Sequence, residues 1–344
     1  MIGKEGRKEK CVLCNKISEE ISSTLKICLS CIRKNPDEAV KIAMDAHKKI
    51  RGDFRPPALP PGDENGLVCR ICANECRLAE GKTGYCGIRE NSGGRIVARE
   101  IACTYYDPLP TNCCASWFCE GSRERGYNLA VFSFGCSFNC IFCQNWEHKC
   151  VDGGEKIDEK ILLEKARYAN CICYFGGSPE PNLPLFLKAN KRIVEECKAR
   201  ICWEWNGTGN KNLVRKAAEF SCNTGGIIKF DLKAFDENLN IVLAGISNKR
   251  TKENFEMIAN EFDGDILTAT TLLIPGYIDA HEVKKIAKFI SSLNPDIPYS
   301  LLAFHPDFKM LDMPFTTRKL AMECYNVAKK YLKRVNIGNE HLLW

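Results

Sequence analysis

Cys136, Cys140 and Cys143 lie in the run Gly135-Cys-Ser-Phe-Asn-Cys-Ile-Phe-Cys-Gln-Asn-Trp146, a C-x3-C-x2-C triplet directly behind the apolar stretch 128–134. Three thiolates at this spacing can hold three irons of a [4Fe–4S] cluster and leave the fourth without a protein ligand. Clusters that only store electrons are usually held by four cysteines. A missing fourth ligand therefore leaves one iron open to bind a small molecule. Taken alone, the triplet also fits core thiols that fall close together, or a zinc site one ligand short.

Two quartets precede it. Cys11-x2-Cys14-x13-Cys28-x2-Cys31 has zinc-ribbon spacing, and four thiolates close a tetrahedral site, so its role is structural. Cys69-x2-Cys72-x3-Cys76-x9-Cys86 can hold zinc or an accessory iron, and spacing alone does not separate the two. Cys103, Cys113, Cys114 and Cys119 follow in a loop-like stretch, as further ligands or as structural thiols. Cys150, Cys171, Cys173, Cys197, Cys202, Cys222 and Cys324 are scattered through apolar segments and read as small buried hydrophobes. The chain has 22 cysteines, and C-x2-C spacings in a cytosolic setting mean metal rather than disulfides. An open iron is also oxygen-sensitive, which implies an anaerobic setting.

Around these residues the chain divides into pieces. Residues 1–51 read as a zinc-ribbon-like module ending in a helix over 36–50, capped by Asn35. Residues 52–65 read as a linker, stiffened by four prolines within residues 56–61. Residues 66–127 form a second Cys-rich module with little periodicity. From residue 128 onward, strand-like runs at 128–134, 170–175, 200–205, 226–231, 265–273 and 298–304 alternate with helix-like runs. The helical runs are 157–169, 183–199, 210–220, 251–262, 280–292 and 316–333. Strands separated by helices imply βαβ units and a parallel sheet, and six such units over 128–344 fit an α/β partial (β/α)6 barrel. Active sites of parallel barrels lie where strands end and βα loops begin.

The bulk composition is that of a globular protein, with 344 residues, 45% of them hydrophobic and 27% charged. No apolar run of 18 residues offers a membrane span. The first residues lack the apolar core of a signal peptide, so the expected location is the cytoplasm. The net charge is +6, and residues 1–60 carry 13 Lys/Arg against 8 Asp/Glu. The excess suits an acidic protein partner or nucleic acid, or is that of solvated helix faces, and no basic run interleaved with aromatics marks a nucleic-acid groove.

The triplet and the ends of the strand-like runs together resemble the radical S-adenosylmethionine (SAM) enzymes, in the branch of activating enzymes and AmmeMemo-associated proteins. Phe142, just before the last cysteine, matches the aromatic that this family places next to the adenine. Gly176-Gly177 resembles the family's "GGE" element, with Glu180 displaced by Ser178-Pro179. Cys202-Trp-Glu-Trp-Asn-Gly207 and Lys229-Phe-Asp-Leu-Lys233 resemble the "DTNG" and "DLK" elements of glycyl-radical activating enzymes, giving Glu204, Asn206, Asp231 and Lys233 as SAM contacts. Trp205 stands where that pattern has a small polar residue, which puts a family-type cation site in doubt. Ile274 belongs to the apolar shelf near the adenine. His305, in a run similar to the family's "FHPDYKM" segment, faces the nucleoside. The second quartet resembles the N-terminal module of the same branch.

The resemblance implies reduction of SAM by the cluster, with an electron donor such as ferredoxin or flavodoxin, and hydrogen abstraction by the resulting 5′-deoxyadenosyl radical from a protein substrate. The finer expectation is methylation, on a likeness to the cobalamin-dependent C-methyltransferases that modify a glutamine of methyl-coenzyme M reductase. The alternative is a glycyl-radical activase, which only abstracts hydrogen. The D-x-H-x-x-G signature of cobalamin binding is absent, since neither Asp45-Ala-His47 nor Asp279-Ala-His281 is followed by glycine at the right distance.

Overall fold

The computed structural model describes residues 8–344, so the first seven residues, read above for a signal peptide, lie outside the described part. The first quartet folds around two short paired strands, β1 (Glu9–Lys10) and β2 (Ile17–Ser18), and helix α1 (Leu29–Lys34). Helix α2 (Pro36–Gly52) begins with proline at its first position, where the missing N–H would have no partner anyway. Asp37 and Glu38 in its first turn and Lys49 and Arg51 in its last complement the helix dipole. Asn35 is the N-cap residue, but its side chain makes no capping bond.

Residues 66–127 were expected to show little regular structure. They hold β3 (Leu67–Val68) paired with β4 (Arg77–Leu78), and β5 (Arg89–Ser92) paired with β6 (Arg95–Ala98). An eight-residue strand, β7 (Ile101–Pro108), follows. The first four strands are too short to show a period. In β7, Tyr105 and Tyr106 both face solvent in part, so the inside–outside alternation that marks a strand is broken.

From Tyr127 the expected α/β order appears. The chain runs β8 (Tyr127–Ser133), β9 (Glu155–Lys156), α3 (Glu159–Ala166), β10 (Cys171–Gly176), α4 (Leu183–Glu196), β11 (Arg200–Trp205), α5 (Lys211–Thr224) and β12 (Ile228–Asp231). It continues through α6 (Glu237–Ala244), α7 (Lys249–Glu261), β13 (Leu267–Leu273), α8 (Ala280–Leu293), β14 (Tyr299–Ala303), α9 (Arg318–Ala328) and β15 (Val335–Gly338). One open sheet orders the strands β15-β14-β13-β12-β11-β10-β8-β7-β9. The run from β8 to β15 is parallel throughout, and β7 closes its other edge antiparallel to β8. This is the partial barrel, with a short strand, β15, beyond the six expected.

Alternation along the strands sorts the side chains. Tyr174 and Trp203 point outward and stack with each other at 4.5 Å between ring centroids, and Phe186 of α4 stacks on Tyr174 at 4.4 Å. Inward, β11 and β12 present Glu204, Lys229 and Asp231. Helix α6 was not expected, because its sequence, Glu-Asn-Leu-Asn-Ile-Val-Leu-Ala, is apolar through its second half and shows no one-sided helical face. Its ends are nonetheless well marked. Asp236 accepts from the Leu239 amide at 3.0 Å, and Gly245 closes it at φ +75°, a left-handed conformation natural to glycine.

The N-terminal module is docked on the barrel. Arg33 grips Asp279 with two bonds of 2.7 and 2.8 Å. The Tyr277 hydroxyl accepts from the Ser22 amide at 3.0 Å and donates to the Ile27 carbonyl at 3.1 Å. Along α2, buried Ala39, Ala43, His47 and Ile50 recur at helical spacing and form the packed face. In the linker, the Pro57 carbonyl accepts from Arg51 and the Pro61 carbonyl accepts from the Arg77 amide. Among the described residues, no helix is long and apolar enough to cross a membrane.

Candidate active site

The triplet sits on the loop that leaves β8, and the loop is held by backbone bonds to the end of α6. The Asn139 amide donates to the Ala244 carbonyl at 2.8 Å, and the Ile141 amide donates to the Leu243 carbonyl at 3.1 Å. These carbonyls end a helix and have no partner within it, so the loop satisfies them. Behind the loop stands His47 of α2. Its Nε2 donates to the Val242 carbonyl at 3.0 Å, and its Nδ1 accepts from the Asn139 side chain at 3.0 Å. The carbonyl can only accept, which fixes the tautomer.

The three cysteines line a cavity of about 260 Å³ at the C-terminal ends of the strands. Phe142, Gly176, Gly177, Glu204, Asn206, Asp231, Lys233 and Ile274 line the same cavity. The glycines are required by the protein's own packing. A Cβ on Gly176, at φ +106°, would stand 2.7 Å from the Ser133 amide nitrogen, and one on Gly177 would stand 2.2 Å from the Gly135 carbonyl. Asn206 is buried and donates to the Cys136 sulfur at 3.2 Å, and the Phe138 amide donates to the same sulfur at 3.3 Å.

Four charges form a chain along the cavity wall. Lys229 bonds Glu204 at 2.8 Å and approaches Asp231 at 3.4 Å, and Lys233 bonds Asp231 at 3.1 Å. Thr270 donates to the other Asp231 oxygen at 2.7 Å. Burial would raise the Asp231 carboxyl, but Lys229 and Lys233 outweigh it and hold it well below the usual range. Burial acts against the Lys233 ammonium, yet Asp231 and the nearby thiols carry it above its ordinary value. The wall therefore keeps fixed charges of both signs, suited to a zwitterionic ligand.

Two expected residues stand elsewhere. Glu180 is fully buried outside the cavity lining, where one oxygen accepts from the Thr208 amide at 3.0 Å and the other from the Ser178 hydroxyl. It fastens the 206–209 segment that carries Asn206. His305 is also outside the lining, half-exposed, with Nδ1 at 2.9 Å from Asp307. Trp205 points to the helix side and stacks on Trp203 at 5.4 Å, so it does not enter the cavity.

Lys149 and His148 were not anticipated. Both are buried, and the Lys149 Nζ and the His148 Nδ1 have no hydrogen-bond partner. Burial depresses the Lys149 ammonium, and Cys143, Cys136 and Cys140 are the negative groups that support it. Burial likewise pushes the Cys136 thiol up to about 11 and the Cys140 thiol up to about 12. Two buried thiols, a half-buried third and a buried lysine whose ammonium meets only the Phe308 ring, at 5.6 Å, are costly as they stand, and iron-bound thiolates beside the ammonium satisfy both. The residues present thus fit a three-thiolate [4Fe–4S] cluster. Lys149 lies in a short turn with no sequence signature. Lys229 was legible, being two residues before Asp231 on the same inward face and directly across from Glu204.

The two quartets differ in closure. Cys11 and Cys31 sulfurs are 3.7 Å apart, as are those of Cys14 and Cys28. A tetrahedral zinc with bonds of about 2.3 Å needs sulfurs about 3.8 Å apart, so this set fits zinc. Among the described residues it is the one group of three or more such ligands lying within 4.8 Å of one another. Cys69, Cys72, Cys76 and Cys86 share a small cavity with Arg89 and Pro181 but stand farther apart.

A profile of the Radical SAM superfamily matches residues 130–290. An uncharacterized protein of Methanocaldococcus jannaschii is 27% identical over 80% of this chain and 82% of its own length. A putative glycyl-radical enzyme activating enzyme of the same organism is 28% identical over 60% of this chain and 79% of its own. The isethionate sulfite-lyase activating enzyme of Desulfovibrio desulfuricans is 34% identical over 44% of this chain and 46% of its own. The matched stretch begins inside β8, carries the triplet at the mouth of the partial barrel, and runs through α8.

Proposed function

We propose that this protein is a radical SAM enzyme of the activating type, which abstracts a hydrogen atom from a partner polypeptide. When bound, the cluster and SAM supply the electron and the 5′-deoxyadenosyl radical for that step. The chain's own residues hold and shield. Cys136, Cys140 and Cys143 hold the cluster, Lys149 balances its charge, and Asn206 steadies Cys136. The Glu204–Lys229–Asp231–Lys233 chain receives the polar groups of SAM, while Phe142, Leu272 and Ile274 cover its apolar side and exclude water.

The observation that carries this reading is the three-thiol loop opening on a cavity whose wall bears paired charges. Likeness to relatives named as activating enzymes favours hydrogen abstraction alone over the methylation expected from sequence. His47, the histidine of one near-miss to the cobalamin signature, is buried with both ring nitrogens bonded and is not available as a cobalt ligand.

Reduced, anaerobic protein given SAM should release 5′-deoxyadenosine and methionine, measured by chromatography. The C136A/C140A/C143A variant should fall to background, a loss of at least about 10³-fold given that no other residue can hold the open cluster. Addition of a partner polypeptide should give a stable glycyl radical by electron paramagnetic resonance. Cleavage persisting in the triple variant overturns the radical SAM reading. A methylated carbon on the partner with no glycyl radical overturns the activase reading.

A further inference from the structure

The SAM cavity has two unlike ends. Leu272 and Ile274 at the end of β13, with Leu302 of β14, make one end apolar. At the other end, beside β8 and β10, the lining is Gly176, Gly177, Asn145 and His148. His148 lies in the short helical turn Trp146–Lys149, and its carbonyl accepts from the Gly135 amide at 3.0 Å, one residue before Cys136. The turn is pinned on its far side, where Trp146 stacks on Phe308 at 5.8 Å between ring centroids. The imidazole itself packs on Gly177. A Cβ there would stand 2.7 Å from the ring carbon Cγ and 2.8 Å from Nδ1. Gly177 thus makes room for the His148 ring as well as for the Gly135 carbonyl.

His148 is 2% exposed, and its Nδ1 has no hydrogen-bond partner. A buried polar group left without a partner is costly. When it stands on the wall of a cavity, it points to a ligand that satisfies it. Burial, with the Lys149 and Arg51 charges nearby, disfavours the imidazolium. A neutral imidazole presents one donor and one acceptor. None of the sequence motifs above contains this residue.

We propose that His148 binds the amino-acid end of SAM and so fixes which way round the cofactor lies. One end of SAM is a flat, largely apolar adenine, and the other carries an ammonium and a carboxylate together. The adenine suits the apolar end of the cavity at Leu272, Ile274 and Leu302. The amino acid then reaches Gly177 and His148, where the imidazole accepts from the ammonium or donates to the carboxylate. The inference rests on the reading of the cavity as a SAM site and adds a direction to it.

The test measures binding rather than turnover. The parent and its His148→Phe variant are prepared anaerobically with their clusters loaded. Each is titrated by calorimetry with SAM and with 5′-methylthioadenosine, which has the adenosine but no amino acid. Phenylalanine keeps the shape of the ring and removes its hydrogen bonds. SAM should bind the variant about 10–100-fold more weakly, as for a lost bond to a charged group. Binding of 5′-methylthioadenosine and the iron and sulfide content should stay as in the parent. His148→Asn, whose amide stands near the place of Nδ1, should recover most of the SAM affinity. Unchanged SAM affinity in His148→Phe, an equal loss for both ligands, or a loss of iron and sulfide overturns the proposal. If His148→Phe does not fold, His148→Leu is read in the same way. A parent that binds no SAM overturns the radical SAM reading and the proposal with it. A parent and variant that bind SAM equally overturn the proposal alone.

Discussion

The first quartet and the barrel triplet use the same ligand atom for opposite ends. In the quartet, sulfurs meet at 3.7 Å around one point and the set is closed. In the triplet, three thiols stand apart on a loop, face a cavity, and have near them a buried ammonium with no hydrogen-bond partner. The quartet draws its surroundings into a fold, since a module of this size buries too little apolar surface to hold itself. The triplet is instead held by a fold made elsewhere, through α6, α2 and the strand ends. The contrast separates a metal that builds structure from a site that structure builds.

The largest effect that would break this contrast is removal of the quartet's metal. Chelation, or C11S/C14S in the full chain, should unfold residues 8–35, because zinc-binding free energy of about 10–16 kcal/mol is folding free energy in such modules. Limited proteolysis should then cut this segment while the barrel stays resistant. Equal resistance with and without chelator would show the quartet to be dispensable.

Lys149→Met sharpens the other side. An uncompensated buried ammonium costs about 3–5 kcal/mol, so the variant should be more stable than the parent when both lack a cluster, and should retain less iron when both are loaded. Thermal unfolding and iron content read the two effects. A variant less stable in the cluster-free state would mean that the Phe308 ring, 5.6 Å from the ammonium, compensates the buried charge by itself.

The smallest effect concerns the joint between the two regions. Burial lowers His47 to about 4, against 6.5 when unfolded. The folded state thus binds the proton less readily than the unfolded one. Its contribution is fully present above pH 6.5 and is lost as pH falls toward 4, by about 3 kcal/mol at about 1.4 kcal/mol per unit. In urea unfolding, His47→Asn should flatten the stability slope between pH 6.5 and 4. An unchanged slope would place the acid sensitivity elsewhere.

Much of this was legible beforehand. Buried parallel strands read as apolar runs, so β8 and β10–β14 stand close to where the sequence puts them. The triplet, Phe142, the glycine pair and Asp231/Lys233 all fall at strand ends, and all line one cavity. Strand β7 was invisible because its adjacent Tyr105 and Tyr106 are both partly exposed and break the alternation. Lys149 was invisible because nothing local marks a lysine that faces a cluster across space. Glu180 was displaced in the sequence by Ser178-Pro179, and that shift carries its carboxylate away from the cavity to Thr208. Cys113, Cys114 and Cys119 read as further ligands or structural thiols of a loop, and Cys171, Cys173 and Cys202 as core residues; only the topology brings the six to one small cavity.

The docking of α2 has a consequence for how the chain is made. His47 meets Val242 across 195 positions, and Ser22 meets Tyr277 across 255. Domains fold in the order they emerge from the ribosome, so the quartet can close around its metal long before its seat exists. Through most of translation, the apolar face of α2 with Ala39, Ala43 and Ile50 is uncovered. The loop of Cys136 and Cys140, already synthesised, likewise waits for the carbonyls of Leu243 and Ala244. The cluster cage is therefore completed late, after residues far downstream have arrived, and a nascent chain stalled before α6 carries thiols with no frame to hold them.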